Sequence, residues 1–242
     1  MTVIYERSKG LSDAQTHYCP GCTHGMIHKL VAESMQELDI IGKTIGVASV
    51  GCSAFAYDYF ACDMQAAAHG RAPAVATGIK RVHPKSYVFT YQGDGDLAAI
   101  GLGEIISAAM RGESITVIFI NNAVYGMTGG QMAPTTLVGQ RATTAPAGRN
   151  AEGYPIKMCE IMAQLEGCIY AERVCCIDVA SHARAKRAVK KAFSLQAENR
   201  GLSFVEVLST CSTNWRKTVL ESMQWLKTTM TQTFPLGVYK DV

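Results

Sequence analysis

The segment 114–120 constrains the fold of this chain more than any other stretch of its sequence. It runs Ser-Ile-Thr-Val-Ile-Phe-Ile, so nearly every side chain is apolar, and it is short for a helix. Central strands of a parallel sheet are buried on both faces and are therefore almost continuously apolar. The segment predicts such a strand in the middle of a parallel sheet.

Helical and extended segments alternate along the rest of the chain. Apolar side chains recur at helical spacing over 24–38. Further helices are predicted over 97–110, 156–166, 180–199 and 219–231, and further strands over 43–51, 87–92, 168–175 and 203–208. Such alternation predicts an α/β fold, a parallel sheet with helices on both faces. Because the sequence has no internal repeat and no linker, residues 1–242 are predicted to form a single domain.

Composition excludes several classes of protein. The chain has 242 residues, of which 18% are charged, and a formal net charge of +3. This balance excludes intrinsic disorder and gives no indication of nucleic-acid binding. The longest uncharged segment, 114–140, is strongly apolar only over 115–120, too short for a membrane span. With no apolar signal sequence at the N-terminus, we expect a cytoplasmic protein with no membrane or nucleic-acid partner.

Residues suited to chemistry follow four of the predicted strands. They are Gly51-Cys52-Ser53, Gly93-Asp94-Gly95-Asp96, Asn121-Asn122 and Ser209-Thr210-Cys211. In open parallel sheets, ligands bind outside the carboxyl ends of the strands. A long segment rich in Gly, Thr, Ala and Pro, 123–150, follows the two asparagines, and loops of this length are usually functional.

The sequence Gly93-Asp94-Gly95 ends one predicted strand and opens a helix. Its glycines allow a sharp turn and a close approach, and the helix N-terminus attracts an anion. The Asp94 carboxylate would repel a phosphate unless a cation such as Mg²⁺ lay between them, with Asn121-Asn122 offering further oxygen ligands. The alternatives are a simple turn and strand end, or a dinucleotide site, although no Gly-x-Gly-x-x-Gly motif opens the first turn.

Nine cysteines are an unusual number for this length. An odd count without a signal sequence argues against a disulfide framework. Cys19-Pro20-Gly21-Cys22 precedes a helix and is compatible with a zinc half-site, a redox pair or half of an iron–sulfur site. His17, His24 and His28 are nearby candidates for zinc, whereas Cys52 and Cys211 follow strands and could complete a four-cysteine [4Fe–4S] site.

The Gly-Asp-Gly and Asn-Asn pair resembles the cofactor motif of thiamine diphosphate enzymes. The chain is most similar to the β subunits of the 2-oxoacid:ferredoxin oxidoreductases, over about 18–236. The motifs that carry this resemblance are Tyr18-Cys19-Pro20-Gly21-Cys22, Val50-Gly51-Cys52-Ser53, His69-Gly70-Arg71-Ala72, Tyr125-Gly126-Met127-Thr128-Gly129-Gly130-Gln131 and Ser209-Thr210-Cys211. The implied fold is the thiamine diphosphate-binding fold with an N-terminal Cys-x-x-Cys cluster segment.

The resemblance implies three cofactors: thiamine diphosphate, Mg²⁺ and a [4Fe–4S] cluster. The implied Mg²⁺ ligands are Asp94, Asn122 and the Val124 carbonyl, and the implied cluster ligands are Cys19, Cys22, Cys52 and Cys211. The residues expected to line or hold the cofactor are Cys52, Ser53, His69, Gly70, Gly93, Asp94, Gly95, Asp96, Asn122, Val124, Gly126, Met127 and Thr128.

The implied reaction is oxidative decarboxylation of a 2-oxoacid to an acyl-CoA and CO₂, with electrons passing through the cluster to ferredoxin. The substrate is a branched-chain 2-oxoacid such as 2-oxoisovalerate, or 2-oxoglutarate. The glutamate that activates thiamine diphosphate is expected on an obligate α subunit, and a small ferredoxin-like subunit is a further implied partner. Two alternatives remain open: a non-redox thiamine diphosphate-dependent decarboxylase or synthase subunit, and a non-catalytic metal-binding electron-transfer subunit.

Basic residues are concentrated over 182–191, within the predicted helix over 180–199. They are His182, Arg184, Lys186, Arg187, Lys190 and Lys191. A solvated helix face is the simpler interpretation. The alternative is a docking surface for an acidic ferredoxin, which predicts that charge reversal slows electron transfer at low salt.

Overall fold

A computed structural model describes residues 6–150 and 153–242 of the chain. The strands are β1 Thr44–Ala48, β2 Asp63–Ala66, β3 Tyr87–Gly93, β4 Thr116–Asn121, β5 Cys168–Cys175, β6 Leu202–Leu208 and β7 Gly237–Asp241. The helices are α1 His24–Glu37, α2 Ala56–Tyr59, α3 Ala72–Val82, α4 Leu102–Met110, α5 Met158–Gln164, α6 Val179–Ala197, α7 Ser212–Trp215, α8 Val219–Trp225 and α9 Thr231–Thr233. A 3₁₀ turn, Ile41–Lys43, precedes β1, and π turns, Asp96–Ile100 and Leu226–Met230, precede α4 and α9.

Within the described residues, seven strands form one sheet in the order β2-β1-β3-β4-β6-β5-β7. The apolar segment 114–120 becomes β4, which is buried along its whole length and lies between β3 and β6. All neighbouring strands are parallel except β7, which pairs antiparallel with β5. The predicted α/β fold is therefore confirmed, with one difference at the sheet edge. The half-exposed β7 lacks a long apolar run, so its sequence does not indicate a strand.

Helices cover both faces of the sheet. On one face α1 and α6 bury side chains such as Ile27, Leu30 and Phe193 against the strands. On the other face α3, α4 and α5 bury Ala76, Ile105 and smaller apolar neighbours. Because both faces are covered, only the strand ends and the loops that follow them remain open to a ligand. No helix within the described part of the chain is both long and apolar enough to cross a membrane.

The parallel strands bring the polar motifs together at the carboxyl end of the sheet. β1, β3, β4 and β6 run in the same direction, so residues 49–53, 93–96, 121–124 and 209–211 all leave the sheet at the same edge. The segment 123–150 forms neither a helix nor a strand, as predicted, and folds over this edge with isolated bridges at Tyr125–Gln131 and Ala142–Ala145.

Candidate functional site

A cleft opens at the carboxyl ends of β1, β3 and β4. Every residue predicted to contact the cofactor lines this cleft except Gly70. His24, Val50, Gly51 and Tyr125 also line it and were not among the predicted residues.

Asp94 lies at the base of the cleft and is almost fully buried. Its Oδ1 accepts the Gly95 N–H at 2.9 Å, and its Oδ2 accepts the Thr135 hydroxyl. Burial raises the pKa of Asp94 to about 7, although these bonds and the N–H groups of Asn122 and Ala123 oppose the shift. A buried carboxylate of this kind is suited to a bound cation.

The two asparagines after β4 have different surroundings. Asn121 is fully buried beneath the cleft, and its Nδ2 donates to Glu206 Oε1 at 2.8 Å. Asn122 lines the cleft, its Oδ1 accepts the Val124 N–H at 3.2 Å, and its carbonyl accepts the Trp215 Nε1–H at 3.0 Å. The backbone between Asn122 and Val124 turns at Ala123, whose φ of 59° is in the left-handed region. This turn brings Asn122 and Val124 to the same cleft as Asp94.

Asp96 anchors the neighbouring loop. Its Oδ1 accepts the Gly70 N–H at 2.7 Å and the Ser49 hydroxyl at 2.9 Å, and it also contacts His69 Nδ1. Its Oδ2 accepts Gln92 Nε2–H at 2.5 Å. Gly70 therefore does not line the cleft itself, but its N–H is bonded to Asp96, which does. A Cβ on Gly70 would lie 2.6 Å from the Gly101 nitrogen, so this glycine is required by packing between backbones.

The segment 125–131, here called the cofactor loop, closes one side of the cleft. The Tyr125 N–H donates to the Gln131 carbonyl at 3.0 Å, and the Gly130 N–H donates to the Tyr125 carbonyl at 2.9 Å. Met127 and Thr128 are exposed at its tip, where the Thr128 hydroxyl donates to Gln131 Oε1 at 2.6 Å. Backbone bonds therefore hold the loop at both ends, and its tip faces solvent.

The Cys-x-x-Cys segment is attached to the end of β6. The Cys22 N–H donates to the Cys19 carbonyl at 3.0 Å, so the motif forms a closed turn. The Thr210 hydroxyl donates to the Gly21 carbonyl at 2.6 Å, next to Cys211. These bonds join the two cysteine segments although they are far apart in sequence.

The four cysteines predicted as cluster ligands lie in one region. Burial, with a smaller contribution from the charges of Cys211, Cys52 and Cys19, raises the pKa of the Cys22 thiol to about 12, although the backbone N–H of His24 opposes the shift. Burial likewise raises the pKa of Cys52 to about 11, with Cys211 and Cys19 again contributing. Among the described residues, no group of three or more His, Cys, Asp and Glu side chains is arranged to hold a single metal ion.

The histidines considered for a zinc site are bonded to tyrosines instead. His17 Nδ1 contacts the Tyr59 hydroxyl at 2.7 Å, and His28 Nε2 contacts the Tyr18 hydroxyl at 2.8 Å. His24 Nδ1 contacts the Tyr91 hydroxyl at 2.8 Å, and burial lowers the pKa of His24 to about 3. The three rings belong to a packed aromatic cluster next to the cysteines. Helical spacing could have placed His24 and His28 in the core, but not their tyrosine partners.

The remaining cysteines lie away from the cleft. Cys159, Cys168, Cys175 and Cys176 are buried, and Cys62 is half-buried between α2 and β2. The four buried cysteines belong to the hydrophobic core, and Cys62 packs against it, as small core residues do.

Comparison with known proteins identifies the family. The model of the thiamine pyrophosphate enzyme C-terminal TPP-binding domain matches residues 47–207. The 2-oxoglutarate synthase subunit KorB of Methanocaldococcus jannaschii is 39% identical over 197 residues, which cover 81% of this chain and 69% of that protein. This chain belongs to the thiamine diphosphate-binding subunits of the 2-oxoacid:ferredoxin oxidoreductases.

Two further relatives of this thiamine diphosphate-binding subunit are informative. The ketoisovalerate oxidoreductase subunit VorA of Methanothermobacter thermautotrophicus is 49% identical over 240 residues, or 98% of this chain. The chain spans about half the length of that relative, 50%. A solved 2-oxoglutarate:ferredoxin oxidoreductase from Magnetococcus marinus, with 2-oxoglutarate, coenzyme A and succinyl-CoA bound, has a TM-score of 0.77 and 25% identity, covering 96% of this chain and 83% of that chain.

Most of the predicted site residues of this subunit lie within the matched domain, but three of the four predicted cluster cysteines do not. Asp94, Asn122 and the cofactor loop fall within 47–207, and so does Cys52. Cys19, Cys22 and Cys211 lie outside this range. Thiamine diphosphate binding is therefore a property of the matched domain, whereas the cysteine site depends on segments that flank it.

Proposed function

We propose that this chain is the β subunit of a 2-oxoacid:ferredoxin oxidoreductase and supplies its thiamine diphosphate site and one [4Fe–4S] cluster. The complete reaction is the CoA-acylating oxidative decarboxylation of a 2-oxoacid, with electrons passing to ferredoxin. The position of Gly126 carries this proposal. A Cβ built there would lie 3.2 Å from Cys52 Sγ, 3.6 Å from Cys211 Sγ and 3.5 Å from Asn122 Nδ2. The proposed metal site and the proposed cluster site therefore meet at one residue.

In this proposal Asp94, Asn122 and the Val124 carbonyl hold Mg²⁺, which neutralises the diphosphate. Three oxygen donors that include one carboxylate suit this hard cation. The Asp94 carboxylate, buried and without a Lys or Arg partner among the described ion pairs, supports the assignment. Thiamine diphosphate, when bound, supplies a carbon nucleophile and an electron sink. This chain orients that cofactor with the cofactor loop and with the loop that Asp96 anchors.

Cys19, Cys22, Cys52 and Cys211 are proposed as the four cluster ligands. Two observations support this assignment. The four thiols lie close enough to influence one another's charge, and the Cys-x-x-Cys segment is attached to the end of β6. Because Gly126 has no side chain, the space beside Cys52 Sγ, Cys211 Sγ and Asn122 Nδ2 stays open. The redox role distinguishes this proposal from a non-redox thiamine diphosphate enzyme.

The cleft favours a 2-oxoacid with an apolar side chain, such as 2-oxoisovalerate. The exposed apolar side chains of Val50 and Met127 lie at the cleft, and no Lys or Arg lines the part of it that the structure describes. The second carboxylate of 2-oxoglutarate would therefore find no cationic partner on this chain. We expect the assembled enzyme to have a higher kcat/KM for 2-oxoisovalerate than for 2-oxoglutarate.

An α subunit is proposed to complete the site. No glutamate lines the described part of the cleft, so the carboxylate that activates thiamine diphosphate must come from elsewhere. CoA, ferredoxin and a small ferredoxin-like subunit are further proposed partners. Nine free cysteines favour a reducing setting such as the cytoplasm.

The proposal is tested in the complex purified anaerobically with its α subunit. Asp94→Ala should abolish thiamine-dependent turnover and weaken Mg²⁺-dependent cofactor binding, while the exposed Asp63→Asn serves as the control. Cys211→Ser should abolish 2-oxoacid-dependent ferredoxin reduction, whereas Cys62→Ser, away from the cleft, should not. Full ferredoxin reduction by Cys211→Ser would favour a non-redox role for the cysteines. Unchanged cofactor binding by Asp94→Ala would contradict the proposed metal site.

A further inference from the structure

Asn214 lies between a proposed cluster ligand and the cofactor loop. Its Nδ2 is 3.2 Å from Cys211 Sγ and 2.9 Å from the Gly126 carbonyl oxygen. A carbonyl oxygen only accepts hydrogen bonds, so the contact with Gly126 requires the amide nitrogen on this side. One NH₂ group thus donates to both partners.

The cofactor loop is shaped around this amide. A Cβ on Gly130 would lie 2.9 Å from Asn214 Oδ1, and the φ of Gly130, +81°, is one that other residues rarely adopt. Gly130 therefore leaves the space that Asn214 occupies. The amide has the Gly126 carbonyl on one side and Gly130 on the other, so it fills the interior of the loop.

The turn that carries Asn214 is fixed at both ends. The Trp215 N–H donates to the Cys211 carbonyl at 2.9 Å, and the Trp215 ring N–H donates to the Asn122 carbonyl at 3.0 Å. Arg216, with φ of 53°, ends the turn. Consecutive residues of α7 thus contact the proposed cluster site, the cofactor loop and the proposed metal site.

An N–H donor to a cluster thiolate has a known electrostatic consequence. Reduction adds negative charge to the cluster and its sulfurs, and a hydrogen bond to sulfur stabilises that charge. A donor at Cys211 therefore raises the reduction potential of the cluster. The same amide restrains Gly126, which lines the cleft.

We propose that Asn214 is a positioning residue that holds a cluster thiolate and the cofactor loop with one amide, so that cluster potential and cofactor affinity depend on the same side chain. This inference rests on the proposed function, because it requires both cofactors. It assigns to Asn214 no contact with substrate.

The test is an EPR-monitored redox titration of the purified complex, together with thiamine diphosphate binding in the presence of Mg²⁺. In Asn214→Ala we expect a lower cluster potential and cofactor binding weaker by about three- to tenfold, the effect of losing one hydrogen bond. Asn214→Asp keeps the size of the side chain but places an acceptor beside Cys211, so its potential should be lower still. Thr213→Ala, an exposed position on the same turn, is the matched control.

If one of the two Asn214 variants fails to fold, the other still tests the role of the amide. Potentials of Asn214→Ala and Asn214→Asp equal to that of Thr213→Ala would overturn it. A changed potential with unchanged cofactor affinity would also overturn it, because the shared amide requires both effects. Absence of iron and sulfide from the unaltered complex would instead contradict the proposed function, so the two failures are distinguishable.

Discussion

The two glycines of the Gly93-Asp94-Gly95 motif are required for different reasons. A Cβ on Gly93 would meet no atom within 4 Å, and the residue lines the cleft, so its space is available to a ligand. A Cβ on Gly95 would lie 2.1 Å from the Tyr125 ring. The first glycine therefore leaves open space in the cleft, which we propose a ligand fills, and the second packs against the cofactor loop.

Alanine substitutions should separate these roles. Gly93→Ala should retain the thermal stability of the unaltered protein and weaken thiamine diphosphate binding. Gly95→Ala should lower the free energy of unfolding by about 1–3 kcal/mol, as overpacking does, because Tyr125 must move. Calorimetric unfolding and cofactor titration of both variants measure the difference. Equal losses of stability would show that the space at Gly93 is not reserved for a ligand.

His28 should make stability depend on pH. It is buried, and burial lowers its pKa well below the ordinary value of 6.5. The unfolded chain therefore binds a proton at this residue that the folded chain does not. The stabilising contribution is complete above pH 6.5 and is lost as the pH falls toward the folded-state pKa, by up to about 1.4 kcal/mol per pH unit.

This dependence is checked by unfolding midpoints measured between pH 7.5 and 5. The variant His28→Gln keeps a polar group near the Tyr18 hydroxyl and does not titrate. Its stability should fall less steeply with decreasing pH than that of the unaltered protein. Parallel curves for the two proteins would contradict the assignment of a neutral, buried His28.

At the scale of elements, the basic residues of α6 fall into two groups, lysines that form ion pairs and two exposed arginines. Lys186 Nζ lies 3.0 Å from Glu33 Oε2 and 2.5 Å from Glu37 Oε1, so it joins α6 to α1. Lys190 pairs with Glu37 at 2.9 Å, and Lys191 pairs with Asp241 at 2.5 Å. Arg184 and Arg187 are exposed and line a shallow surface cavity. Any docking surface for an acidic protein is therefore centred on these arginines.

Charge reversal at two neighbouring positions should have different effects. Arg187→Glu should slow ferredoxin reduction at low ionic strength and leave unfolding unchanged. Lys186→Glu faces two glutamates and should lower stability by about 1 kcal/mol, the usual scale for surface pairs. Stopped-flow reduction at several salt concentrations measures the first effect. A rate for Arg187→Glu equal to that of the unaltered enzyme at low salt would leave α6 as a solvated face only.

The elements that sequence patterns predict are those that lie inside the sheet or cover it with a long apolar face. β4 and β5 are buried along their whole length, but only β4 is a clear apolar run, because β5 contains Glu172 and Arg173. β2 is mostly exposed at the sheet edge, and α2 and α7 have only four residues each, so no periodic pattern marks them. The predicted helix over 219–231 is divided by a π turn, which its apolar spacing does not indicate.

Sequence patterns also predicted the part of the candidate site that the sheet positions, but not the part that irregular segments contribute. Parallel strands bring their carboxyl ends to one edge, so the placement of Asp94, Asn122 and Cys211 follows from topology. The contacts of Thr135 and Asn214 were not predictable, because they depend on the conformation of the irregular loop over 123–150 and of a one-turn helix.

At the scale of the whole molecule, we propose that a second chain completes the cleft. The described lining of the cleft contains no glutamate, lysine or arginine. We expect the isolated chain not to oxidise 2-oxoacids, and activity to appear when the α subunit is added. Assays of viologen or ferredoxin reduction before and after reconstitution test this expectation. Robust ferredoxin reduction by the isolated chain would contradict it.

We propose that one chain places a thiamine diphosphate site beside a four-cysteine cluster. The content of iron, acid-labile sulfide and zinc per chain after anaerobic purification tests this arrangement. We expect about four irons and four sulfides, the content of one [4Fe–4S] cluster. Zinc without sulfide would rule out the cluster, because the cysteines would then hold a structural metal and leave no route for electrons.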